Sequence, residues 1–318
     1  MRLALLTGIF PPDIGGPATH SADLADAFRT RGHFVTIVTL GDQPKQEEEK
    51  GVVRFPRGWP WLLRNLAVAR WLFAHRVSYD VIYATGLHEA AALGGLLARR
   101  PVAIKVVGDP VWERARRWGL TSRDFEDFQK QRSRPWALRP LAAVRDWTLR
   151  RARVIVVPSE SLVAVVAGWG LDGGSVKVIL NGVRITAASP ESVPNRDPQR
   201  VVFVGRLVTH KKVGVLIEAV CRVGGICLEI VGEGPDASRL AEMAKTMGVE
   251  GRVRFPGSMG HDEVMQSLAG AAALVTASDY EGLPHVAIEA LAVGTPIICP
   301  SAGGFSEVVR DGVNGLIV

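Results

Sequence analysis

Short apolar runs rich in β-branched residues recur along the whole chain, and they restrict its fold more than any other feature. Gly, Pro, Ser or Asp bounds each run, and most runs are apolar throughout instead of alternating with polar residues, as expected of strands buried on both faces. The predicted strands are Leu3–Ile9, Val35–Leu40, Val81–Ala84, Val102–Val107, Val154–Val157, Val176–Leu180, Val201–Val204, Leu228–Val231, Val253–Phe255, Leu274–Thr276 and Pro296–Cys299.

Segments with helical spacing of apolar residues separate most of these strands. Regular alternation of strand and helix predicts an α/β fold, in which parallel sheets are covered by helices on both sides. With 318 residues and 47% hydrophobic content, the chain is long enough for two such domains, each with its own core. The predicted helices are Ser21–Arg31, Glu89–Arg99, Val213–Val223, Ala237–Met247 and His285–Val293.

Residues 184–200 interrupt the alternation, since they are rich in Pro, Ser, Ala and charge and show no apolar periodicity. We therefore predict a first domain over residues 1–190, a linker over 191–200 and a second domain over 201–318. Two doubly wound domains bind ligands at the carboxyl ends of their strands, in the cleft between them. The chain ends on a predicted strand, Gly315–Val318, with no helix after it, so we expect the second domain to be incomplete.

Charge and cysteine content indicate the cellular location of the chain and the kind of partner that it faces. Residues 1–198 hold 28 Lys and Arg against 19 Asp and Glu, whereas the remainder holds 10 against 13. A basic first half is expected to face lipid headgroups, nucleic acid or a phosphorylated substrate. The three cysteines lack metal-binding spacing and suit a reducing compartment, and no apolar stretch reaches the ~18 residues that a membrane-spanning helix needs. We expect a cytoplasmic protein whose membrane contact is peripheral, on the inner face.

An arginine-rich stretch, residues 54–76, is the first candidate for contact with an anionic membrane. It combines five arginines with Trp59, Trp61, Trp71 and Phe73. This mixture is typical of an interfacial anchor, and equally of a core-packed helix whose arginines reach out to solvent. A second basic stretch covers residues 114–153. Nucleic acid is the less expected partner, because aromatic residues interleaved for base stacking on a sheet are not evident.

A glycine-rich turn, GIFPPDIGG, follows the first predicted strand and precedes a helix that begins near Pro17. Its adjacent glycines, Gly15 and Gly16, allow a ligand to approach the main chain closely, and N–H groups at a helix N-terminus bind phosphate oxygens. The segment matches neither the dinucleotide fingerprint nor the P-loop pattern. A plain strand-to-helix turn without a ligand explains it equally well.

Cations follow the first strand of the second domain. Arg206 comes directly after Gly205, and Lys211 and Lys212 follow before the helix that begins near Val213. A guanidinium and an ammonium at the carboxyl end of one strand can converge on a single diphosphate. Taken alone, this motif is explained better by a solvated basic turn.

The most specific signal is DYEGLPHVAIE, residues 279–289. Glu281 lies in a predicted loop and Glu289 about one turn into the following helix, and carboxylates accept hydrogen bonds from vicinal sugar hydroxyls. Main-chain amides between Gly282 and His285 lie at the helix N-terminus, where they favour developing negative charge. A capped surface helix is the alternative interpretation.

Four stretches together resemble the retaining glycosyltransferases of family 4, in the order in which that family has them. They are GIFPPDIGGPATHSADLADAFRTRGHFVTIVT, VPSESLVAVVAGWGLDGGSVKVILNGV, GRLVTHKKV and DYEGLPHVAIEALAVGTPIICPSAGGFSEVVRDGVNGLIV. The resemblance implies the GT-B fold, with two Rossmann-like doubly wound parallel-sheet domains facing a central cleft. It also implies that the family's final helices are missing from the second domain.

The resemblance assigns roles to residues of both domains. Arg206 and Lys211 would neutralise the departing nucleoside diphosphate, Glu281 would contact the donor sugar, and Glu289 would bind the ribose hydroxyls. The other implied donor-binding residues are Gly15, Gly16, Gly282, Leu283, Pro284 and His285. It further implies transfer with retention from a UDP- or GDP-linked sugar, without a metal ion or other cofactor, to a glycan or lipid-linked acceptor in cell-surface polysaccharide or glycolipid synthesis.

The chain departs from the family pattern on the acceptor side and in the second domain's first loop. Val107 stands where many members have a histidine, which leaves His88 and Asp109 as the acceptor-side candidates, and Lys212 stands where the family usually has Gly. Two other functions fit the same motifs, a sugar-nucleotide epimerase with the GT-B fold and a non-catalytic sugar-nucleotide-binding protein. A nicotinamide dehydrogenase is disfavoured, because the first strand lacks the dinucleotide fingerprint.

Overall fold

The computed structural model describes residues 1–13, 15–42, 51–131, 135–171, 176–183 and 196–318. These residues divide into two compact units, Met1–Leu180 and Asn181–Val318. Each unit is an α/β domain built on one parallel sheet with its own hydrophobic core.

The first unit contains a seven-stranded sheet. Its strands are β1 (Arg2–Leu6), β2 (Phe34–Gly41), β3 (Val52–Pro56), β4 (Val81–Ala84), β5 (Val102–Lys105), β6 (Val154–Val157) and β7 (Val176–Val178). They pair in parallel in the order β3-β2-β1-β4-β5-β6-β7. The central strand β1 is almost wholly buried, which explains its uniformly apolar sequence.

Seven helices of the first unit lie among the described residues. They are α1 (Gly16–Thr30), α2 (Trp61–Ala74), α3 (His88–Ala98), α4 (Pro110–Arg117), α5 (Phe125–Lys130), α6 (Arg139–Arg150) and α7 (Glu160–Ala167). Leu5 of β1 packs in one cluster with Ala25 of α1 and Ile37 of β2. Helices α2 and α3 approach closely at Gly94, where a Cβ atom would overlap the side chain of Leu72.

The second unit contains a six-stranded sheet. Its strands are β8 (Asp197–Val204), β9 (Cys227–Val231), β10 (Val253–Gly257), β11 (Ala271–Val275), β12 (Ile297–Cys299) and β13 (Gly315–Ile317), and its helices are α8 (Val213–Arg222), α9 (Ala237–Thr246), α10 (His261–Ala269) and α11 (His285–Ala292). The strands pair in parallel in the order β10-β9-β8-β11-β12-β13. Neighbouring residues Val202 and Phe203 belong to two different clusters, so both faces of the sheet are covered.

Both sheets share one topological feature that positions a ligand site. The strand order reverses between β1 and β4 in the first unit and between β8 and β11 in the second. At such a reversal the helices that follow the two neighbouring strands leave toward opposite faces, and a crevice opens at the carboxyl ends of the strands. The described residues of the loops that border these crevices are 7–13, 15 and 85–87 in the first unit, and 205–212 and 276–284 in the second.

The predicted α/β fold of two parallel-sheet domains is confirmed, and every predicted strand overlaps an observed one. Strand β3 was not predicted, because Val52–Pro56 lies where the sequence turns arginine-rich and only one of its five residues is buried. Half of the linker predicted over 191–200 falls on residues 191–195, outside the described residues. The other half overlaps the start of strand β8, Asp197–Arg200, where three of the four residues are exposed and carry no apolar signal. The domain bounds stay a prediction.

Candidate functional site

Two loops lie side by side at the carboxyl ends of β8 and β11. The first loop carries Arg206 and Lys211, and the second carries Glu281. The main-chain N–H of Asp279 donates to the carbonyl oxygen of His210 at 2.8 Å and so joins the two loops directly. The crevice of the second unit therefore contains all three residues that the resemblance implies are catalytic.

Lys211 and Glu281 contact each other in this crevice. The Nζ atom of Lys211 forms an ion pair with Oε1 of Glu281, and the same oxygen accepts a hydrogen bond from Oγ of Ser278 at 3.1 Å. The two charged side chains are only 17% and 19% exposed. Partial shielding from water strengthens their attraction relative to a surface pair, so the two groups hold each other in place.

A second ion pair lies next to the first. Lys212 pairs with Asp279, whose side chain is 2% exposed. Lys212 has a left-handed backbone conformation, with φ of 47°, which costs a residue other than glycine about 1–2 kcal/mol. Neither Asp279 nor Ser278 was predicted as a site residue, since the sequence alone does not show that consecutive lysines reach acids of the facing loop.

Arg206 lies on the same loop with a solvent-exposed side chain. Among the residues that the structure describes, its guanidinium forms no ion pair, which leaves its donors available for an anionic ligand. Its charge still acts locally, because it contributes to lowering the pKa of His210.

His210 lies between the charged side chains of the site. The pKa of its imidazole is lowered to about 4, chiefly by burial; Lys211 and Arg206 act in the same direction, and Glu281 and Asp279 act in the opposite one. An imidazole with this pKa is neutral at physiological pH and adds no charge to the two cations of the loop.

The low pKa of His210 predicts a dependence of stability on pH. The unfolded chain binds a proton at this imidazole near pH 6.5 and the folded chain only near pH 4, so the free energy of unfolding is expected to fall as pH drops from about 6.5 to 4. Titration of the His210 ring resonances by NMR should give a midpoint near 4. The His210→Gln variant should lose this share of the acid sensitivity, and a midpoint near 6.5 would contradict the prediction.

Glycines allow the loops of the second unit to pack with their main chains in direct contact. A Cβ atom on Gly232 would overlap the carbonyl oxygen of Gly205, and one on Gly234 would overlap that of Leu207. On the other side of the site, a Cβ atom on Gly303 would overlap the carbonyl oxygen of Glu281. These positions require glycine because no side chain fits between the loops.

Helix α11 presents its N-terminus to the same crevice. It begins at His285 after Pro284, and the side-chain amide of Asn181 donates to the carbonyl oxygen of Leu283 at 2.9 Å. The main-chain N–H of Gly304 donates to the carbonyl oxygen of Glu281 at 2.8 Å. The segment predicted to line a phosphate and sugar pocket is thus held from two sides, and Asn181 is a contributor that was not predicted.

Glu289 lies on the second turn of α11 and its side chain is mostly buried. Its Oε1 lies 3.7 Å from Nδ1 of His261, the first residue of α10. This separation is longer than a hydrogen bond. The structure therefore places Glu289 on the helix predicted for it, with a neighbour that was not predicted.

The first unit holds the predicted glycines at the start of α1. Gly15 is the N-cap residue, with φ of 144°, and Gly16 is the first helical residue. Hydroxyl groups connect this helix to both loops of the crevice, since Oγ of Ser21 lies 3.1 Å from Oγ1 of Thr7 and 3.2 Å from Oγ1 of Thr85.

The two acceptor-side candidates differ in their surroundings. His88 begins α3, and burial lowers its pKa against the opposing effect of Glu89. Asp109 is fully buried: it accepts from the N–H of Val111 as the N-cap of α4 and forms an ion pair with Arg145 at 2.9 Å. The carboxylate of Asp109 thus contacts its own helix N-terminus and Arg145, and its acceptor-side role stays a prediction.

Lys105 is a buried basic residue of the first unit that was not predicted. It ends β5, is 4% exposed, and its Nζ lies 2.9 Å from Nε2 of His20. Burial lowers the pKa of Lys105 to about 8. Lys105 was missed because it lies within an apolar strand, where no local motif distinguishes it from the exposed lysines of the chain.

Two families match the chain, one for each unit. The family described as glycosyl transferase 4-like domain matches residues 15–182, and the family described as glycosyl transferases group 1 matches residues 185–318. An uncharacterized glycosyltransferase of Methanocaldococcus jannaschii is 28% identical over 100% of this chain and 85% of its own length. A glycogen synthase of Mycobacterium tuberculosis is also 28% identical, over 99% of this chain and 82% of its own length.

Solved structures share the fold across the whole chain. Anabaena HepE in complex with UDP and glucose aligns with a TM-score of 0.76 and 23% identity, and covers 100% of this chain and 85% of that one. A sucrose-phosphate synthase from Thermosynechococcus elongatus aligns with a TM-score of 0.80 and 20% identity, with the same coverage. The fold of these proteins and the two matched families lead to one conclusion: the chain belongs to the glycosyl transferase 4-like family and is a glycosyltransferase with the GT-B fold.

Proposed function

We propose that the chain transfers a sugar, with retention of configuration, from a UDP- or GDP-linked donor to a glycan or lipid-linked acceptor. The observation that carries the proposal is the crevice of the second unit, where Lys211 pairs with Glu281 beside the exposed Arg206. Named relatives support it: HepE was solved with UDP and glucose, and a Rhizobium meliloti protein that is 38% identical over 122 residues is a lipopolysaccharide core glycosyltransferase.

The charges of the crevice suit departure of a nucleoside diphosphate. In the proposed reaction the bond between the sugar's anomeric carbon and a phosphate oxygen breaks, and a bond forms from an acceptor oxygen to that carbon. The acceptor's proton passes to the departing phosphate. Arg206 and Lys211 stabilise the negative charge that develops on the diphosphate, a role for which fixed cations in a shielded site are effective. Side-chain cations then supply the charge neutralisation, and no metal ion is required.

The remaining residues of the crevice bind the donor. Glu281 accepts hydrogen bonds from hydroxyls of the transferred sugar and Glu289 from the ribose, while main-chain groups from Gly282 to His285 line the pocket at the N-terminus of α11. In the first unit, Gly15 and Gly16 supply close main-chain approach to the diphosphate at the start of α1. His88 and Asp109 stay the proposed acceptor-side residues.

We also propose that the reaction takes place at the cytoplasmic face of a membrane, in the synthesis of a cell-surface polysaccharide or glycolipid. None of the described helices is both long enough and apolar enough to cross a membrane. The excess of basic residues in the first half supports a peripheral contact with anionic lipid.

Release of nucleoside diphosphate from UDP-, GDP- and ADP-linked sugars tests the proposal. One donor class is expected to raise the Tm and to be consumed faster when an acceptor glycan or lipid is added. Stabilisation by a nucleotide without any turnover would point instead to a sugar-nucleotide-binding protein. Conversion of the donor sugar without acceptor, and without release of nucleoside diphosphate, would point to an epimerase.

A further inference from the structure

Lys212 has a backbone conformation that disfavours any side chain. Its φ of 47° lies in the left-handed region, and Leu87 and Arg99 are the other non-glycine residues with positive φ in the described part of the chain. Glycine adopts this conformation without strain because it has no Cβ atom, whereas a lysine is strained there. Such a conformation persists only where the surrounding contacts stabilise it.

The side chain of Lys212 makes a stabilising contact with the facing loop. It forms an ion pair with the carboxylate of Asp279, which is only 2% exposed. A carboxylate so well shielded from water is stabilised by a counter-charge, and Lys212 supplies one. Because the side chain of Lys212 is itself 48% exposed, it can be removed without leaving a cavity in the core.

Two consecutive lysines reach the same short segment of this loop. Consecutive side chains of a regular helix or strand point in different directions, yet Lys211 pairs with Glu281 and Lys212 with Asp279. The left-handed residue lies where the chain passes from a 3-10 turn, Thr209–Lys211, into helix α8. The change of chain direction at this point accompanies the approach of both ammonium groups to one segment.

One residue of the facing loop holds both neighbours of Lys211. The main-chain N–H of Asp279 donates to the carbonyl oxygen of His210 at 2.8 Å, and its carboxylate pairs with Lys212. Lys211 lies between these two contacts and directs its own side chain to Glu281. The main chain of Lys211 is therefore fixed on both sides, relative to the loop that carries Glu281.

We propose that Lys212 is a positioning residue for Lys211. Its pair with Asp279 holds the main chain of Lys211 where the Lys211 ammonium meets the departing diphosphate, and Lys212 itself does not contact the donor. This role rests on the proposed function, in which Lys211 stabilises the charge that develops on the diphosphate. Displacing a stabilising group by about 1 Å can lower a rate by up to about 10²-fold, so loss of the pair is expected to slow turnover.

Turnover of the Lys212→Gly variant tests the proposal, since glycine keeps the left-handed conformation and removes only the side chain. The donor is UDP-glucose, GDP-mannose or ADP-glucose, whichever the wild type consumes fastest. We expect kcat for release of nucleoside diphosphate to fall about 10–100-fold, with KM for the donor changed by no more than about threefold. Lys212→Arg should restore about half of the wild-type kcat or more, because it renews the pair, and Asp279→Asn should lower kcat as Lys212→Gly does.

A double substitution distinguishes positioning from a general loosening of the fold. In the Lys211→Ala background, Lys212→Gly is expected to lower kcat by no more than about a further twofold, because the group that it positions is already gone. Arg99→Gly is the matched control. Arg99 is also left-handed, with φ of 54°, and is exposed; it forms no ion pair among the described residues, so its variant should keep the wild-type kcat.

Two results would overturn the positioning role. They are a wild-type kcat for Lys212→Gly while Lys211→Ala is impaired, and a loss from Lys212→Gly that is as large in the Lys211→Ala background as in the wild type. Wild-type turnover of Lys211→Ala would overturn the proposed reaction together with this role. Circular dichroism and Tm of each variant show that it is folded.

Discussion

Replacement of Lys211 by alanine is expected to lower kcat for release of nucleoside diphosphate by about 10²–10³-fold, the typical cost of losing one group that stabilises developing charge. The variant also removes the ion-pair partner of Glu281, whose carboxylate then keeps the hydrogen bond from Ser278. Glu281→Ala is expected to lose activity to a similar extent, because the sugar contact and the orientation of Lys211 disappear together. The measurement is steady-state release of nucleoside diphosphate, with the Tm recorded for each variant.

Lys245→Ala is the matched control for these variants. Lys245 lies in the same unit on α9, is exposed, and forms only a surface contact with Glu242 at 3.8 Å among the described residues. Its removal is expected to leave kcat unchanged, since exposed pairs of this kind contribute little. The proposal fails if Lys211→Ala retains wild-type turnover, or if Lys245→Ala loses as much activity as Lys211→Ala does.

Gly303→Ala is expected to have the largest effect on stability. Gly303 has φ of 57°, a left-handed conformation that costs an L-residue about 1–2 kcal/mol. Its new Cβ atom would also overlap the carbonyl oxygen of Glu281 and push the loop that carries this carboxylate. We expect a loss of about 3 kcal/mol or more in the free energy of unfolding, together with a large loss of turnover.

A second glycine separates the two causes of destabilisation, the left-handed backbone conformation and the steric overlap. Gly312 has φ of 70°, and a Cβ atom added to it would meet nothing within 4 Å, so Gly312→Ala carries the conformational cost alone. It should destabilise the second unit by about 1–2 kcal/mol and leave turnover unchanged. Urea unfolding of both variants gives the comparison. Equal destabilisation by the two substitutions would show that the close approach of Gly303 to Glu281 is not what requires glycine.

Most of the fold was predicted from apolar runs, because strands that are buried on both faces are apolar along their whole length. The start of β8 and strand β3 were missed for the converse reason, since most of their residues are not buried. Helix α2 was left open between an interfacial anchor and a core-packed helix. The structure shows that it is packed on one face and exposed on the other, which composition alone cannot separate.

Only the part of the candidate site that local motifs reveal was predicted. Arg206, Lys211 and Glu281 came from motifs on single loops, and the strand order then brought these loops together. Asp109 shows the limit of such motifs, because a carboxylate after a strand can serve either a ligand or a helix N-terminus, and the sequence does not reveal its contact with distant Arg145. The roles of three further residues depend on contacts across many residues, which no local spacing reveals; these are Asp279, Ser278 and Asn181.

The two neighbouring ion pairs of the second unit have a consequence for how the donor loops move. Lys211 and Lys212 are consecutive, and their partners Glu281 and Asp279 are separated by one residue. The main-chain bond from Asp279 to His210 lies between the same two segments. Because two ion pairs and one main-chain hydrogen bond join the same two segments, we expect the donor loops to move together more readily than they separate.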